Sequence, residues 1–351
     1  MVEARGRVLA LAPNWVGDVV MCTPALRALH KAFPDAELTV AGRASACALL
    51  QGLPWISHCV TLAQRPRPAE MLSAGRRLRS HGTDLAVVFP HSFRAALQAW
   101  LAGATRRVGY ARGGRSFLLT DPVEPHREDG RITPIYMGRE YLDLLKPLGI
   151  EDDGLGLELA ADPAAVRRAR EALGGSGPRV GFSPGAAFGP SKLWPAERYA
   201  AVADALAERV DARCVILTGP GEEDTRRAVL AAARTPFIDC DGGKPSLETL
   251  KATVSQLDLL VCNDSGARHV AVAFGVPTLC LMGPTSPLYS EGPYERGRVL
   301  RIDVDCGPCQ KPVCSTDHRC MTGISVDWAV ETALEILEEK NKKQETRNKK
   351  A

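Results

Sequence analysis

The chain predicts an α/β protein made of two Rossmann-like domains in tandem, and three observations carry that reading. Buried strands alternate with amphipathic helices up to about residue 148, a spacing that yields a parallel sheet with right-handed crossovers. The alternation restarts at residue 179, after a stretch rich in acidic residues and glycine. Finally, an apolar run at 257–262 feeds Asn263-Asp264-Ser265-Gly266-Ala267-Arg268-His269, and a second run at 276–282 follows Gly275 and ends in Gly283-Pro284-Thr285. This segment reads as strand, polar turn, helix and strand. A helix opening at Ser265 and Gly266 aims its free N–H groups and positive dipole end beyond the preceding strand, an arrangement that holds a phosphate or diphosphate.

Residues 8–12 form the first strand and 13–18 its polar loop. A helix follows, with Val19, Val20, Ala25, Leu26, Leu29 and Phe33 on one stripe, and Pro34-Asp35 stops it. Strands are expected at 37–41 and 84–89, a helix at 93–101, and a closing helix at 134–148. Residues 150–178 contain Glu151-Asp152-Asp153-Gly154, a short helix at 164–173 and Gly174-Gly175-Ser176-Gly177-Pro178, and read as the linker. The second half has strands at 179–183, 214–218, 237–240, 257–262 and 276–282, with helices at 195–209, 224–233, 246–253 and 327–340. The predicted limits are 1–160 for the first domain, 161–339 for the second, and 340–351 for a basic, disordered tail. Ligands in such folds bind beyond the carboxyl ends of the strands, so the chemistry is expected in a cleft between the domains.

The chain has 351 residues, 45% hydrophobic and 24% charged, the composition of a globular protein with room for two cores. Its net charge of +3 is unevenly placed. Lys340, Lys342, Lys343, Arg347, Lys349 and Lys350 against Glu345 give the last twelve residues +5, so the remainder is slightly acidic. That excludes a nucleic-acid footprint spread over the fold. The tail reads as a solvated extension of the last helix, or as an element that holds the protein near an anionic membrane surface. The N-terminus lacks the apolar core and cleavage site of a signal peptide, and the longest uncharged window, 270–290, is broken by Gly and Pro. A cytoplasmic protein is expected, peripheral at most to the inner membrane. Cys22, Cys47, Cys214, Cys240, Cys262 and Cys280 read as small core residues. Cys306, Cys309, Cys314 and Cys320 cluster around His318, as a reduced or disulfide-paired loop or, alternatively, a structural zinc or iron–sulfur site.

Four loops can carry chemistry. After strand one, Asn14-Trp15-Val16-Gly17-Asp18 offers a tight approach at Gly17 and a carboxylate at Asp18, either a helix N-cap or a general base. After the strand at 179–183, Ser183 and a small-residue loop containing Ala186 and Ala187 let backbone N–H groups reach a phosphate, and Lys192 adds a positive charge. In Thr218-Gly219-Pro220-Gly221-Glu222-Glu223, either glutamate can hold a ribose diol or simply suit the helix dipole. In the fourth loop Asp264 caps the helix or meets sugar hydroxyls, and His269 is a packed helix histidine or a supporting partner of a diphosphate. There is no G-x-G-x-x-G after strand one, no P-loop and no G-x-S-x-G elbow, which argues against a nicotinamide enzyme, a P-loop nucleotidase and an α/β-hydrolase.

With these residues in place, the chain resembles the lipopolysaccharide heptosyltransferases of glycosyltransferase family 9 over nearly its full length. The matching motifs are Asn14 to Asp18 with Thr23-Pro24-Ala25-Leu26, Ser183 to Ala187 with Lys192-Leu193-Trp194-Pro195, Asp264-Ser265-Gly266 with His269, and Gly283-Pro284-Thr285. Two further segments, His91-Ser92-Phe93-Arg94 with Arg107-Val108-Gly109-Tyr110 and the cysteine loop with His318, look like the branch that adds the second inner-core heptose. The resemblance implies a GT-B fold and inverting transfer of L-glycero-D-manno-heptose from ADP-heptose to the heptose/Kdo core of lipid A. It implies Asp18 as base, Lys192 on the diphosphate, and Asp264, Ser265, Gly266 and His269 lining the donor site. No cofactor or catalytic metal is implied. Asn14, Gly17, Arg94, Arg112 and Arg115 are candidate acceptor contacts, with Arg107 in the same group of loop arginines.

Overall fold

The computed structural model describes residues 6–80 and 82–348. It divides into two compact units, Met1–Ala160 and Ala161–Ala351. Each unit has its own parallel sheet, because the connections between successive strands are helical crossovers rather than hairpins.

The first sheet holds β1 (Arg7–Leu11), β2 (Glu37–Gly42), β3 (His58–Thr61), β4 (Leu85–Val88), β5 (Arg106–Tyr110) and β6 (Asp121–Val123) in the order β3-β2-β1-β4-β5-β6. A separate hairpin pairs β7 (Arg127–Glu128) with β8 (Arg131–Ile132). The second sheet holds β9 (Arg179–Ser183), β10 (Arg213–Ile216), β11 (Leu259–Asn263), β12 (Thr278–Met282) and β13 (Gly297–Arg301) in the order β10-β9-β11-β12-β13. Ile238 bridges in parallel to Val215. Counting that bridge as a third strand, the second unit repeats the doubly wound order of the first. Strand order reverses between β1 and β4 in one unit and between β9 and β11 in the other. Ligand crevices in open α/β sheets form beyond the carboxyl ends of strands at such switch points.

The residues explain which strands were recognisable. Every residue of β11 and β12 is buried, so both read as continuous apolar runs, the signature of a strand covered on both faces. By contrast β3 (His-Cys-Val-Thr) buries only Val60 and lies at a sheet edge, and no apolar pattern announces it. β5, β6 and β13 were likewise unanticipated. The expected strand at 237–240 shrinks to the single bridge at Ile238. The expected closing helix at 134–148 is a short helix, Met137–Asp143, followed by a separate turn, Lys146–Leu148. The last helix runs Val326–Asn348, beyond its expected end at 340. Tail residues Lys349 and Lys350 lie outside the described residues.

Two local details bear on the site. The helix after β1 is two helices, Val16–Met21 and Thr23–Ala32, broken at Cys22 before Pro24. Buried Thr23 donates to Val20 O at 2.7 Å and accepts from Glu158 N at 3.0 Å. The acidic segment at 151–158 belongs to the first unit: Arg27, 5% exposed, holds Asp153 through two 2.7 Å bonds and Glu158 at 2.9 Å. Cys47 is disulfide-bonded to Cys59, which corrects its expected role as a free core thiol. The pairing was not legible because Cys59 sits on the unrecognised β3.

Candidate active site

At the switch point of the second unit, four loops meet a buried charge network. The loop after β9 is fixed from below by Asn263 at the end of β11, which donates to Pro184 O at 2.6 Å and accepts from Tyr199 Oη at 2.9 Å. Trp194, 2% exposed, anchors the other end of that loop, its indole donating to Ile324 O at 3.1 Å. Between these anchors Lys192 reaches across, and its ammonium donates to Asp264 Oδ2 at 2.7 Å and Asp264 O at 2.8 Å. It also lies 5.0 Å above the Phe188 ring.

Asp264 is the hub. Its Oδ1 accepts from Arg268 Nη1 at 3.1 Å and its Oδ2 from Thr285 Oγ1 at 2.7 Å. Burial alone would push its carboxyl up. The charges of Lys192 and Arg268, with hydrogen bonds from Lys192 and Thr285, outweigh burial and hold it well below the ordinary carboxylate range. Arg268, fully buried, forks onto Glu295 at 2.7 and 2.6 Å, and Thr278 donates to the same carboxylate at 2.7 Å. Two cations face two carboxylates, so the buried set is neutral and its polar atoms are paired. Asn263 and Arg268 stand in the segment that the sequence brings forward but have no role assigned there, and Glu295 and Thr278 were not singled out at all. Arg268 is spaced four residues after Asp264, an i,i+4 pair that is a usable signal. Glu295 has no such signal.

Ser265 is the N-cap of helix Gly266–Ala273, in extended backbone with no side-chain capping bond. Its buried hydroxyl has no hydrogen-bond partner among the described residues. An unspent hydroxyl at a helix N-terminus is a site for an anionic oxygen. His269 is buried in the same helix. Burial, reinforced by the Arg268 charge, pushes its imidazole down to about 4, so it is neutral at physiological pH.

The structure separates the two glutamates. Glu222 lies in the space a side chain at Gly185 would fill and accepts from Gly219 N at 2.6 Å. Burial raises its carboxyl pKa. Glu223 is exposed and accepts from Gly221 N at 3.1 Å. Glu222 is thus brought to the loop after β9 and Glu223 is not. Ser183 is buried at the end of β9, Ala186 is half-buried and Ala187 exposed.

In the first unit, Asp18 is half-buried in the first turn of Val16–Met21, whose N-cap is Trp15. The capping alternative for Asp18 therefore fails, because the helix begins earlier. Its neighbours are the buried Cys22 thiol and Tyr141 phenol, whose pKa values burial raises and the Asp18 charge raises further. Gly17 is buried beside it.

A cavity of about 280 Å³ opens beyond the carboxyl ends of β1 to β4. Asn14, Arg43, Gln64, Arg94 and Gln98 give it polar walls. Gln98 is 5% exposed with its Nε2 unpartnered, and Arg43 Nε is also buried without a partner among the described residues. Arg94 donates to Gln64 O at 2.9 Å. The other expected acceptor arginines are committed elsewhere. Arg112 donates to His91 Nδ1 at 3.0 Å and lies 3.5 Å from Glu140. Arg115 is fully buried and donates to the carbonyls of Tyr110, Pro90 and Ser92. Burial, with repulsion from Arg112, pushes its guanidinium down to about 10. Arg107 donates to Leu118 O at 2.7 Å and Ala104 O at 2.5 Å.

The cysteine loop packs on the lysine loop of its own unit. Ser191 N and Oγ donate to Pro312 O at 3.0 Å and Lys311 O at 2.6 Å, and His318 Nε2 lies 2.7 Å from Ser191 O. Gln310 N donates to Pro284 O at 2.9 Å. Cys306, Cys309, Cys314 and Cys320 line one cavity of about 50 Å³. Among the described residues, no group of three or more His, Cys, Asp or Glu side chains is placed to hold a metal ion. No helix among them is long and apolar enough to cross a membrane.

The profile described as "Glycosyltransferase family 9 (heptosyltransferase)" matches residues 71–319. Lipopolysaccharide heptosyltransferase 2 of Escherichia coli (strain K12) is 28% identical over 312 residues, covering 84% of this chain and 88% of its own. Among solved structures, E. coli ADP-heptose lps heptosyltransferase II superposes with a TM-score of 0.79 at 26% identity, covering 95% of this chain and 99% of that one. A glycosyl transferase family 9 structure from Veillonella parvula DSM 2008 gives a TM-score of 0.82 at 24% identity, covering 96% of this chain and 98% of that one. This agrees with the GT-B fold class expected from the sequence.

Proposed function

The chain belongs to glycosyltransferase family 9, the heptosyltransferases, and we propose that it transfers L-glycero-D-manno-heptose from ADP-heptose to the heptose/Kdo inner core of lipopolysaccharide. Both E. coli relatives are named for heptose transfer to lipopolysaccharide, and one of them for ADP-heptose; the form of the sugar and the inner-core position rest on the motif resemblance. The observation that carries the reading is the Lys192–Asp264 cluster next to Ser265, whose hydroxyl has no partner among the described residues, at the switch point where an α/β sheet takes a nucleotide.

The reaction is a single displacement with inversion. Asp18, carried by the first unit, takes the proton of the acceptor hydroxyl. The freed oxygen forms the new glycosidic bond at the anomeric carbon while the bond to the ADP oxygen breaks on the opposite face. ADP departs with that electron pair. Charge growing on the diphosphate is met by Lys192, which exchanges part of its contact with Asp264 for a phosphate oxygen, and by Ser265 and the N–H groups at Gly266. Asp264 keeps Arg268 and Thr285 as partners throughout. Glu222, beside the phosphate loop, holds the ribose diol. His269, neutral and buried, supports the helix that presents Ser265.

The acceptor enters the cavity at the ends of β1 to β4. Asn14 and Gln98 meet its hydroxyls, and Arg43 and Arg94 meet an anionic group such as a Kdo carboxylate or a sugar phosphate. Arg112 and Arg115 shape this unit from within rather than touching the acceptor.

Replacing Asp18→Ala tests the assignment. Turnover with ADP-heptose is expected to fall about a hundredfold to ten-thousandfold, the usual weight of a general base, with ADP affinity by calorimetry unchanged. Normal turnover in that variant would show that Asp18 is not the base.

A further inference from the structure

The first unit carries a surface that the transfer reaction does not use. Helix Pro68–Ser80 places Leu72, Arg76 and Arg79 at i, i+4 and i+7, on one exposed face. It packs on helix Phe93–Leu101, where Gly75 meets Leu101. That second helix places Phe93, Leu97 and Trp100 at the same spacing, with Phe93 and Trp100 about half exposed. Phe117 is 75% exposed, with its ring 6.0 Å from that of Phe93. The Arg79 guanidinium lies over Gly103, the turn that ends the aromatic helix, so the basic and aromatic stripes adjoin.

The charge on this surface is one-sided. Residues 65–79 hold Arg65, Arg67, Arg76, Arg77 and Arg79 against Glu70 alone, a net +4 in a chain whose total is +3. The Glu70 carboxylate is occupied by Arg67 N at 2.7 Å. Arg77 donates to Thr61 O at 2.7 Å and still contributes its charge. Leucine and aromatic side chains beside a block of arginines, exposed and outside the lining of the cavity of about 280 Å³, match the headgroup boundary of an acidic bilayer. A single-stranded nucleic acid would need a track for the backbone with aromatic platforms inside it.

We propose that this surface docks on an anionic lipid bilayer. The cavity described above draws Glu70, Met71 and Ala74 from the first of these helices and Arg94, Ala95 and Gln98 from the second. If the proposed function holds, an acceptor anchored by its own acyl chains would reach that cavity from the same bilayer.

The test is vesicle flotation of the full chain with phosphatidylcholine alone and with added phosphatidylglycerol. Binding is expected only with the anionic lipid and is expected to be lost at high salt. The double variants R76E/R79E and W100S/F117S should each weaken it by about tenfold or more. A variant with Lys342, Lys343, Lys349 and Lys350 changed to Gln should still bind. All of these should keep wild-type turnover on a deacylated, water-soluble acceptor, because none of the altered residues lines the cavity. Absence of binding to anionic vesicles overturns the proposal, as does binding unaffected by both double variants, or binding abolished only by the tail variant. Tighter binding to single-stranded RNA than to vesicles would also overturn it. Flotation does not depend on turnover, so a chain that floats but does not use ADP-heptose would refute the proposed function and leave this surface standing.

Discussion

The two units share one strand order but leave the ends of their strands in opposite electrostatic states. In the second unit, Lys192, Asp264, Arg268 and Glu295 form a closed, neutral network in which each charge already faces its partner. In the first unit the same crevice is open, with a cavity of about 280 Å³ and donors on Gln98 and Arg43 that have no partner among the described residues. On the proposed function, this contrast lets one architecture serve two substrates. A charged leaving group is best met by donors that move little as it forms: Asp264 holds the Lys192 ammonium close by, and only part of that contact is exchanged. A bulky polar acceptor needs room and donors that its own oxygens can satisfy.

The contrast can be broken most forcefully at Arg268. Replacing Arg268→Ala leaves two buried carboxylates short of their shared cation, and about 3–5 kcal/mol of stability should be lost in denaturant unfolding. A loss under 1 kcal/mol would mean that the network is not the structural hub of the second unit.

His269 comes next. Its imidazole titrates near 4 in the folded chain, pushed down by burial and by Arg268, while an unfolded histidine titrates near 6.5. The unfolded chain therefore takes up the proton first. The contribution is complete above pH ~6.5 and is lost as the pH falls toward 4, by roughly 3 kcal/mol. Unfolding curves across that window should show the slope, and His269→Gln should flatten it; an equal slope in the variant would place the titration elsewhere.

Lys192→Ala sharpens the comparison from the ligand side. Loss of a charge-assisted contact should weaken ADP binding about tenfold to a hundredfold by calorimetry, with acceptor KM unmoved. Unchanged ADP affinity would remove Lys192 from the phosphate site.

The smallest effect belongs to the open cavity. Gln98→Leu removes a buried amide whose Nε2 has no partner among the described residues, so the stability of the unliganded protein should change little, while acceptor KM should rise about fivefold to tenfold. A marked loss of stability with unchanged KM would make the cavity structural rather than functional.

How far the sequence could be read followed from the same physics. β11 and β12 were legible as unbroken apolar runs because parallel strands bury both faces. β3 and β13 were not, since each is an edge strand with partly exposed residues. Ser265 and Lys192 could be picked out as phosphate-site candidates because small residues after a strand have a local chemical logic. Glu295 was not, because its role depends on a contact with Arg268, 27 residues earlier in the chain. Glu222 and Glu223 are adjacent and chemically equal, and only the fold of Gly185 beneath Glu222 separates them. Arg115 shows the converse: it reads as a free loop arginine, yet the fold spends it on three backbone carbonyls.

The central claim is that the closed network of the second unit holds ADP-heptose and the open cavity of the first receives an inner-core sugar. The most direct measurement is turnover of ADP-heptose beside other nucleotide-sugars, with a deeply truncated lipopolysaccharide core as acceptor. The account predicts heptose transfer and ADP release with ADP-heptose alone; transfer from a different nucleotide-sugar, with none from ADP-heptose, would contradict it.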